Sequence, residues 1–449
     1  MKIKISVIMP CLNMIKYIEQ CLDSVVNQTI KDIEILIIDA GSTDGTLEII
    51  NRYSKSDQRI KLLHSNQKSY GYQVNMGIMA ARGEYIGIVD TDDEIASDMY
   101  EVLYKTAEES GADYVKGTAK GFYTLCNGGR YCYPIAPFDL EEYGNGIEIS
   151  PKQTPSLLPR DNFLWYGLYK SSLIKQIKMH ESPGAAFQDM GALFQIQIKA
   201  EKAYYIAKPV YYYRQDNMNA STHNHKGFSF IEKEYSYAEH FLDSLPVEWY
   251  TVFYFKEFLH FMDRMYVMAV SGNFWEDTLE DMLRISEKLY EAYQKGHLKE
   301  KDLSDEQWMD LLLLWKHPRL LYEKYKDIYE TKKEFFVKVI RHLENASGII
   351  FGSGYWGEYL HAQLLYRGNK NIAAYCDNDV KQQGTYKHDV KILSPEQAVD
   401  LFLEGKYIIA NKRNAKEIKR QLISLGIQER DILVYSIEID YYLFGMSLV

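Results

Sequence analysis

The first 120 residues alternate between two hydrophobic periods, and this pattern limits the fold more than any other feature of the 449-residue chain. Short apolar runs predict buried strands, and the segments between them, apolar at every third or fourth position, predict helices. Such alternation with short links predicts βαβ units, so we expect an α/β fold with a mostly parallel sheet. The apolar runs occupy residues 5–9, 33–38, 60–63 and 85–89.

The remainder of the chain changes character twice. Residues 120–165 contain several glycines and prolines, which predict an irregular segment. Residues 227–345 have the period of amphipathic helices, and a new strand–helix–strand pattern begins near residue 348. We therefore expect an α/β domain, a helical middle region and a small Rossmann-like C-terminal domain of the nucleotide-binding type. Their expected boundaries are residues 1–225, 226–345 and 346–449.

Composition and charge exclude several classes of protein. The formal charge of −10 argues against a nucleic-acid surface, which needs a basic patch. The five cysteines form no paired metal-binding motif, which favours a reduced cytosolic chain. The first residues lead into a strand pattern without the features of a signal peptide, and no run of 18 apolar residues occurs. We therefore expect a cytoplasmic protein.

Carboxylates follow two of the predicted strands. Asp39 ends the second strand, and Asp90, Asp92 and Asp93 follow the fourth. Ligands of open α/β sheets bind at the carboxyl ends of the strands. Clustered carboxylates repel one another, and their oxygens suit Mg²⁺ or Mn²⁺, which would bridge them to a diphosphate. A solvated acidic turn is the alternative.

Five segments in the first half of the chain carry a more specific signal. In order, they are SVIMPCLN, YIEQCLDSVVNQT, IEILIIDAGSTDGT, NMGIMAARGEYIGIVDTDD and FQDMGALF. Together they resemble the family 2 glycosyltransferases, which have the GT-A fold, over roughly residues 3–220. The resemblance implies an inverting enzyme of polysaccharide, cell-wall or capsule biosynthesis. Such an enzyme moves a sugar from a nucleotide diphosphate donor, a UDP-sugar in the first instance, to a hydroxyl of a glycan or lipid-linked acceptor.

The resemblance also implies which residues bind the nucleoside of the donor. Pro10, Asn13 and Asp39 would hold the base and the ribose. A carboxylate at Asp39 can accept the N3–H of uracil, but guanine also presents N–H donors, so the base stays open. Family members often have a second acid after this one, and here Ala40 takes its place, which puts some ribose or base contacts in doubt.

The same resemblance implies which residues bind the diphosphate and the metal. Asp90 and Asp92 match the motif that binds the donor diphosphate, and Asp92 and Asp93 would be the metal-proximal pair for Mg²⁺ or Mn²⁺. Arg214, before a polar loop that resembles the mobile loop of the family, would face phosphate.

The base of inverting family members is an acid at the start of a helix, often preceded by glutamate. Here the segment reads Gln188-Asp189, so the resemblance implies that Asp189 deprotonates the acceptor hydroxyl. A helix-terminal acid without a catalytic role is the alternative. His223 or His225 in the following loop is a candidate further metal ligand, although a solvated loop histidine is the favoured interpretation.

A glycine-rich turn marks the C-terminal region. Gly352, Gly354 and Gly357 follow a predicted strand and open a helix, and Asp377 ends the next strand. This arrangement is the dinucleotide-binding fingerprint, in which glycines allow close approach of a pyrophosphate. Only about 100 residues are present, which makes one mononucleotide-binding half. We therefore expect weak or no NAD binding and a mainly organising role, with a nucleotide ligand as the alternative.

Three functional hypotheses remain open from the sequence. The first is the inverting glycosyltransferase, the second an NAD-dependent enzyme centred on the C-terminal glycines, and the third a non-catalytic glycan-assembly protein. The helices of residues 227–345 are expected to supply the acceptor side. Their aromatic run at residues 249–255 predicts core packing, with peripheral contact at the inner face of the membrane as the alternative. The sugar, the linkage and the oligomeric state are not specified.

Overall fold

The structure is a computed structural model that describes residues 2–136, 146–220, 224–272 and 274–435. Within these ranges the chain forms two compact units. The first contains residues up to 121 together with 133–326, and the second contains residues 122–132 together with those from 327 onward. No helix in the described ranges is long and apolar enough to cross a membrane.

Strands and helices alternate through the first 110 residues, as the hydrophobic pattern predicts. The elements are β1 (Ile5–Cys11), α1 (Ile18–Val26), β2 (Ile33–Asp39), α2 (Thr46–Ser56), β3 (Ile60–His64), α3 (Tyr70–Ala80), β4 (Tyr85–Ile88), β5 (Glu94–Ile95) and α4 (Met99–Ser110). Strands β3, β2, β1 and β4 lie side by side and are parallel. Every residue of β1, β2 and β4 is buried, as expected for a parallel sheet covered on both faces.

The sheet continues beyond β4 with strands whose antiparallel pairing was not predicted from the sequence. The further elements are β6 (Tyr114–Thr124), β7 (Arg130–Ile135), β8 (Gly146–Ile149), β9 (Gly167–Lys170), α5 (Ser171–Ile174), α6 (Gln188–Lys199) and β10 (Ala203–Arg214). The order is β3-β2-β1-β4-β9-β6-β10-β5, with β7 beside β6 and β8 beside β10. The prediction of an irregular segment at 120–165 was therefore wrong in part. A Cβ on Gly121 would lie 2.3 Å from the Tyr133 ring, so this glycine marks tight packing rather than a loop.

Helices alone form the next part of the chain, as predicted. They are α7 (Gly227–Glu239), α8 (Val247–Ser271), α9 (Thr278–Gln294), α10 (Asp305–Lys316) and α11 (Pro318–His342). In α8, Trp249, Phe253 and Tyr254 are buried, at 2%, 0% and 6% exposure. Core packing therefore accounts for most of the aromatic run.

The second unit has its own six-stranded sheet. Its elements are β11 (Gly348–Phe351), α12 (Tyr355–Tyr366), β12 (Ile372–Cys376), β13 (Tyr386–Lys387), β14 (Val390–Leu393), α13 (Pro395–Leu401), β15 (Lys406–Ile409), α14 (Ala415–Ser424) and β16 (Ile432–Val434). The order is β13-β14-β12-β11-β15-β16, and all pairs except β13–β14 are parallel. The winding reverses at β11, because β12 lies on one side of it and β15 on the other.

Candidate active site

The turns after β1 and β2 are joined by hydrogen bonds between a side chain of one turn and a backbone N–H of the other. Asp39 is fully buried, and its Oδ2 accepts the N–H groups of Gly41 (2.8 Å) and Ser42 (3.0 Å). Asn13 has a left-handed φ of 56°, which asparagine tolerates. Its N–H donates to Ser42 Oγ (2.8 Å), and its Oδ1 accepts the N–H of Thr43 (2.9 Å). Two predicted nucleoside-binding residues, Asn13 and Asp39, are therefore brought together at one edge of the sheet.

Pro10 lies at the same edge. Its carbonyl accepts the hydroxyl of Thr91 (3.0 Å), which ties the end of β1 to the acidic turn after β4. Gln73 on α3 donates to the carbonyls of Cys11 (3.0 Å) and Ile38 (2.6 Å) and ties α3 to β1 and β2. Neither Thr91 nor Gln73 was singled out in the sequence, although both lie within or beside the family-like segments.

Strand β10 holds the acidic turn in place. Asp93 is fully buried, and its two carboxylate oxygens accept the N–H of Arg214 (2.7 Å) and the hydroxyl of Tyr211 (2.8 Å). The same Tyr211 hydroxyl accepts the N–H of Asp90 (3.1 Å). Because both Asp93 oxygens already serve β10, the structure gives this residue an anchoring position, whereas Asp90 and Asp92 are partly exposed.

Asp92 accepts hydrogen bonds from the last residue of β10 and from the segment that follows it. Its Oδ2 accepts the amide of Asn217 (2.7 Å), and its backbone carbonyl accepts Nε of Arg214 (2.8 Å). The guanidinium also donates to Gln20 (2.8 Å) and Glu94 (3.3 Å), and the Arg214 side chain is only 4% exposed. The Arg214 guanidinium therefore binds Asp92, Gln20 and Glu94, and its contact with phosphate stays a prediction.

The acidic turn after β4 holds carboxyl groups whose ionisation the protein disfavours. Burial raises the pKa of Asp90 to about 8, and the charges of Asp92 and Asp189 add to this effect. Burial also raises the pKa of Asp92. A divalent cation beside these carboxylates would offset their repulsion, so the residues fit an oxygen-bound metal. In the part of the chain that the structure describes, no three His, Cys, Asp or Glu side chains form a complete metal site, so water and substrate oxygens would have to complete the coordination.

The loop after β10 contains the two histidines considered as further ligands. His223 lies outside the described residues. The ring of His225 lies 5.7 Å from that of Trp275, so its described contact is with the helical part of the first unit.

Asp189 lies in the first turn of α6, directly after Gln188. Burial raises its pKa to about 7, while the N–H groups of Asp189 and Met190 and the charges of Lys116 and Lys256 act in the opposite direction. The charge of Asp189 raises the pKa of Asp90, so these two groups, far apart in sequence, interact in the fold.

Tyr70 on α3 joins the same group of residues. Its hydroxyl donates to Asp90 Oδ1 (3.0 Å). Burial raises the pKa of Tyr70, and the charges of Asp90 and Asp189 raise it further. The phenol therefore stays a donor to Asp90 and limits the rotation of that carboxylate. Tyr70 could not be identified from the sequence, because a lone tyrosine at the start of a helix has no distinctive signal.

The segment before Asp189 is held by amide side chains. Gln188 donates from Nε2 to the carbonyl and to the hydroxyl of Ser182, both at 3.0 Å. Asn75 on α3 donates to the carbonyl of Met179 and accepts its N–H, again at 3.0 Å each. An ionised glutamate could accept the Ser182 hydroxyl but could not donate to the Ser182 carbonyl, so glutamine makes a bond here that glutamate would lose.

A buried polar network acts on Asp189 and was not predicted from the sequence. Lys116 is fully buried and forms an ion pair with Asp161. Asp161 also accepts the hydroxyls of Tyr166 (2.9 Å) and Tyr205 (2.6 Å). Lys256 of α8 donates to the backbone carbonyl of Asp161, and burial lowers its pKa to about 7.

This network should matter for stability. Replacing Lys116 by methionine leaves Asp161 buried without its ionic partner, which typically costs about 3–5 kcal/mol. The free energy of unfolding from urea titration should fall by that amount. Lys105→Met is the matched control, because Lys105 forms an exposed pair with Glu109 worth about 0–1 kcal/mol. A Lys116→Met effect no larger than that of the control would contradict a structural role for the ion pair.

The predicted glycine turn lies in the second unit, and its glycines have different roles. Gly352 has a φ of 103°, and a Cβ on Gly357 would lie 1.8 Å from the carbonyl oxygen of Gly352. A Cβ on Gly354 would meet no atom within 4 Å. Asp377 accepts the N–H and the hydroxyl of Ser353, both at 2.7 Å, so the acid at the end of β12 holds the turn after β11.

Comparison with known proteins identifies the first part of the chain. Residues 6–154 match the family model described as glycosyl transferase family 2. Over 221 residues the chain is 33% identical to glycosyltransferase GlyG of Streptococcus pneumoniae, a match that covers 47% of this chain and 70% of GlyG. The chain belongs to glycosyltransferase family 2. It is therefore an enzyme that transfers a glycosyl group, and of the three hypotheses the first is confirmed at this level.

Other relatives agree with this assignment. The chain is 33% identical over 224 residues to the uncharacterized glycosyltransferase EpsJ of Bacillus subtilis, covering 49% of this chain and 62% of EpsJ. The structure of S. aureus TarS 1–349 in complex with UDP-GlcNAc has a TM-score of 0.55 at 18% identity, over 74% of this chain and 91% of that one. This likeness confirms the GT-A fold. Residues 345–433 match a separate model, described as C2185-like, N-terminal.

Proposed function

We propose that this family 2 enzyme inverts the anomeric configuration of its sugar. The donor is a nucleotide diphosphate sugar, with a UDP-sugar as first choice, and the acceptor is a hydroxyl of a glycan or a lipid-linked saccharide. The observation that carries the proposal is the hydrogen bond from the Thr91 hydroxyl to the Pro10 carbonyl, which ties the acidic turn after β4 to the end of β1, beside the Asp39 turn. Asp189, whose charge acts on Asp90, supplies a separate carboxylate for the acceptor.

The nucleoside of the donor is assigned to the edge formed by Pro10, Asn13 and Asp39. Asp39 Oδ2 accepts the N–H groups of Gly41 and Ser42, and Oδ1 accepts the Ser42 hydroxyl. Because each carboxylate oxygen offers about two lone-pair sites, one site on Oδ1 remains. One acceptor position can therefore serve an N–H of the base. The rigidity of the joined turns supports this role, since a preformed acceptor costs little ordering on binding.

The diphosphate and its metal are assigned to Asp90 and Asp92. A bound Mg²⁺ or Mn²⁺ would neutralise the charge that develops on the leaving diphosphate. Asp92 is the proposed metal-proximal residue, since it is partly exposed and Asn217 orients it. Asp93 is assigned to anchoring the turn, which revises the pairing of Asp92 with Asp93, because its oxygens serve Arg214 and Tyr211.

The chemical step needs one base. Asp189 takes the proton of the acceptor hydroxyl while the hydroxyl oxygen forms a bond to the anomeric carbon. The bond from that carbon to the diphosphate oxygen breaks with its electron pair on the diphosphate. A single displacement of this kind inverts the anomeric configuration. The positive charges of Lys116 and Lys256 keep the pKa of the buried carboxyl from rising further.

Activity should depend on pH through this carboxyl. Burial raises the pKa of Asp189 from 3.8 to about 7, and only the ionised form accepts a proton. At saturating metal, kcat/KM should therefore rise with pH to a plateau above about 7 and fall about tenfold per pH unit well below it. Initial rates between pH 5 and 9 would test this. A profile that stays flat down to pH 5 would exclude Asp189 as a base with a raised pKa.

The donor and the stereochemistry can be established together. Thermal stabilisation by UDP-GlcNAc, UDP-glucose, UDP-galactose and GDP-mannose, each with and without Mn²⁺, should single out the donor. UDP-GlcNAc comes first because TarS was solved with it. The proton NMR spectrum of the product then reports the anomeric configuration. A product with retained configuration would contradict the proposed mechanism.

A further inference from the structure

The second unit contains a cavity that the glycosyl transfer reaction does not explain. Its volume is about 690 Å³, within the range of small-molecule sites. The turns that follow β11, β12 and β15 line it, together with the first turns of α12 and α14. The winding of the sheet reverses at β11. In open α/β sheets, ligands bind in the crevice at such a reversal, outside the carboxyl ends of the strands.

Gly354 lines this cavity, and the fold does not require a glycine there. Its φ is −70°, which any residue adopts, and a Cβ would meet no protein atom within 4 Å. Gly352 and Gly357, by contrast, are required by the fold. Gly352 has a left-handed backbone conformation, and a Cβ on Gly357 would collide with a carbonyl oxygen. The missing side chain at Gly354 leaves open space on the cavity side, where a ligand can approach the backbone closely.

One part of the cavity is suited to an anion. The N-caps of α12 and α14 are Gly354 and Asn414, and neither provides a side-chain cap. By contrast, α13 begins with a complete capping box at Ser394. Two helix N-termini with partial positive charge thus open on one cavity, and Arg413 lines it as well. The cavity is far larger than a phosphate group alone needs.

Another part of the cavity offers acceptors and amides. Asp377 accepts Ser353 N–H and Oγ on one oxygen and the N–H of Asp379 (3.0 Å) on the other, so its orientation is fixed. A carboxylate oxygen that accepts one hydrogen bond can still accept a hydroxyl. On the same cavity lining, the amides of Asn378 and Gln421 pair with each other at 3.1 and 3.0 Å.

We propose that this cavity binds a mononucleotide. The phosphates lie at the first turns of α12 and α14 beside Arg413, and the ribose hydroxyls donate to Asp377. Within the described residues, the side of the sheet beyond β11 has only β15 and β16, so the second half that a dinucleotide uses is incomplete and NAD is not the preferred ligand. The site consists of residues of the second unit alone and does not depend on the mechanism of sugar transfer.

Hydrogen–deuterium exchange of the full chain locates the binding directly. The probes are UDP, GDP, ADP, their monophosphates, NAD⁺ and inorganic pyrophosphate, each added separately. At least one mononucleotide should slow exchange in peptides that cover residues 352–357 and 411–417. Gly354→Ala should weaken this binding about tenfold or more and leave the melting temperature unchanged or slightly raised.

Arg413→Ala should also weaken the binding, whereas Arg420→Ala, an exposed arginine on α14 that does not line the cavity, should not. Exchange in residues 10–13 and 39–43 reports binding at the proposed donor site. A failure of the donor-site proposal can therefore be distinguished from a failure of the mononucleotide proposal. Absence of protection at 352–357 with every mononucleotide, or full affinity in both Gly354→Ala and Arg413→Ala, would overturn the proposal. Tighter binding of NAD⁺ than of any mononucleotide, or equal protection by pyrophosphate alone, would overturn the ligand assignment.

Discussion

Replacing Asp189 by asparagine is expected to lower kcat by about 10²–10⁴-fold, the usual effect of removing a positioned base. Asparagine preserves the size of the side chain but cannot take the acceptor proton at neutral pH. The affinity for UDP should change little, because the proposed role of Asp189 concerns the acceptor. The variant should also fold normally, since it removes a buried carboxyl whose ionisation burial disfavours. Steady-state kinetics with the identified donor, together with UDP titration, measure both quantities.

Asp243→Asn is the matched control for this experiment. Asp243 is exposed and lies in the first unit outside the proposed site, so its variant should keep the full kcat. Asp189→Asn should also lose the rise of kcat/KM between pH 5 and 7, because the group responsible for it is absent. An Asp189→Asn variant with normal turnover, or with an unchanged pH profile, would require another base.

The α/β elements near the N-terminus could be predicted because their signal is local. A strand buried on both faces is apolar at every position, as in residues 5–9, and the sheet confirms this pattern. Short strand patterns at 113–116 and 210–214 indicate only parts of β6 and β10, and β7, β8 and β9 escaped prediction for the opposite reason. In β6, burial is incomplete and Gly121 packs against a ring from β7, so the decisive contacts come from distant residues.

The residues of the candidate site could likewise be predicted only in part. Asp39, Asp90 and Asp92 could be placed from their position after strands, and the structure puts them at the carboxyl ends of β2 and β4, which lie on either side of β1. What the sequence could not show is which carboxylate oxygens remain accessible. That depends on the pairing of β10, which brings Tyr211 and the N–H of Arg214 onto Asp93 from far along the chain.

The same limit applies to the buried lysines. Lys116 and Lys256 lie in different elements and carry no motif, yet both act on the pKa of Asp189. The helical region therefore contributes to the electrostatics of the proposed base through α8, a role that hydrophobic periodicity cannot reveal. A lysine within an apolar stretch is expected at the surface, because its burial requires an ionic partner, here Asp161, that the sequence does not identify.

Asp92→Asn is expected to reduce turnover at least about 100-fold, since metal stabilisation of a leaving diphosphate contributes several kcal/mol. The variant should also need a higher Mn²⁺ concentration for half-maximal activity, because it loses a charged ligand. EDTA should abolish the activity of the unmodified enzyme, and added Mn²⁺ should restore it. Full activity in EDTA would contradict the metal assignment.

Asp93→Asn separates anchoring from metal binding at the neighbouring position. Asp93 accepts hydrogen bonds on both oxygens, and an asparagine would turn an N–H₂ group toward either Arg214 N–H or the Tyr211 hydroxyl. Leaving a buried donor unsatisfied costs about 1–3 kcal/mol, so the melting temperature should fall. The Mn²⁺ concentration at half-maximal activity should nevertheless stay close to that of the unmodified enzyme. If Asp93→Asn instead shifts this concentration as strongly as Asp92→Asn does, while its unfolding is unaffected, then Asp93 is a metal ligand and its bonds to β10 must give way when the donor binds.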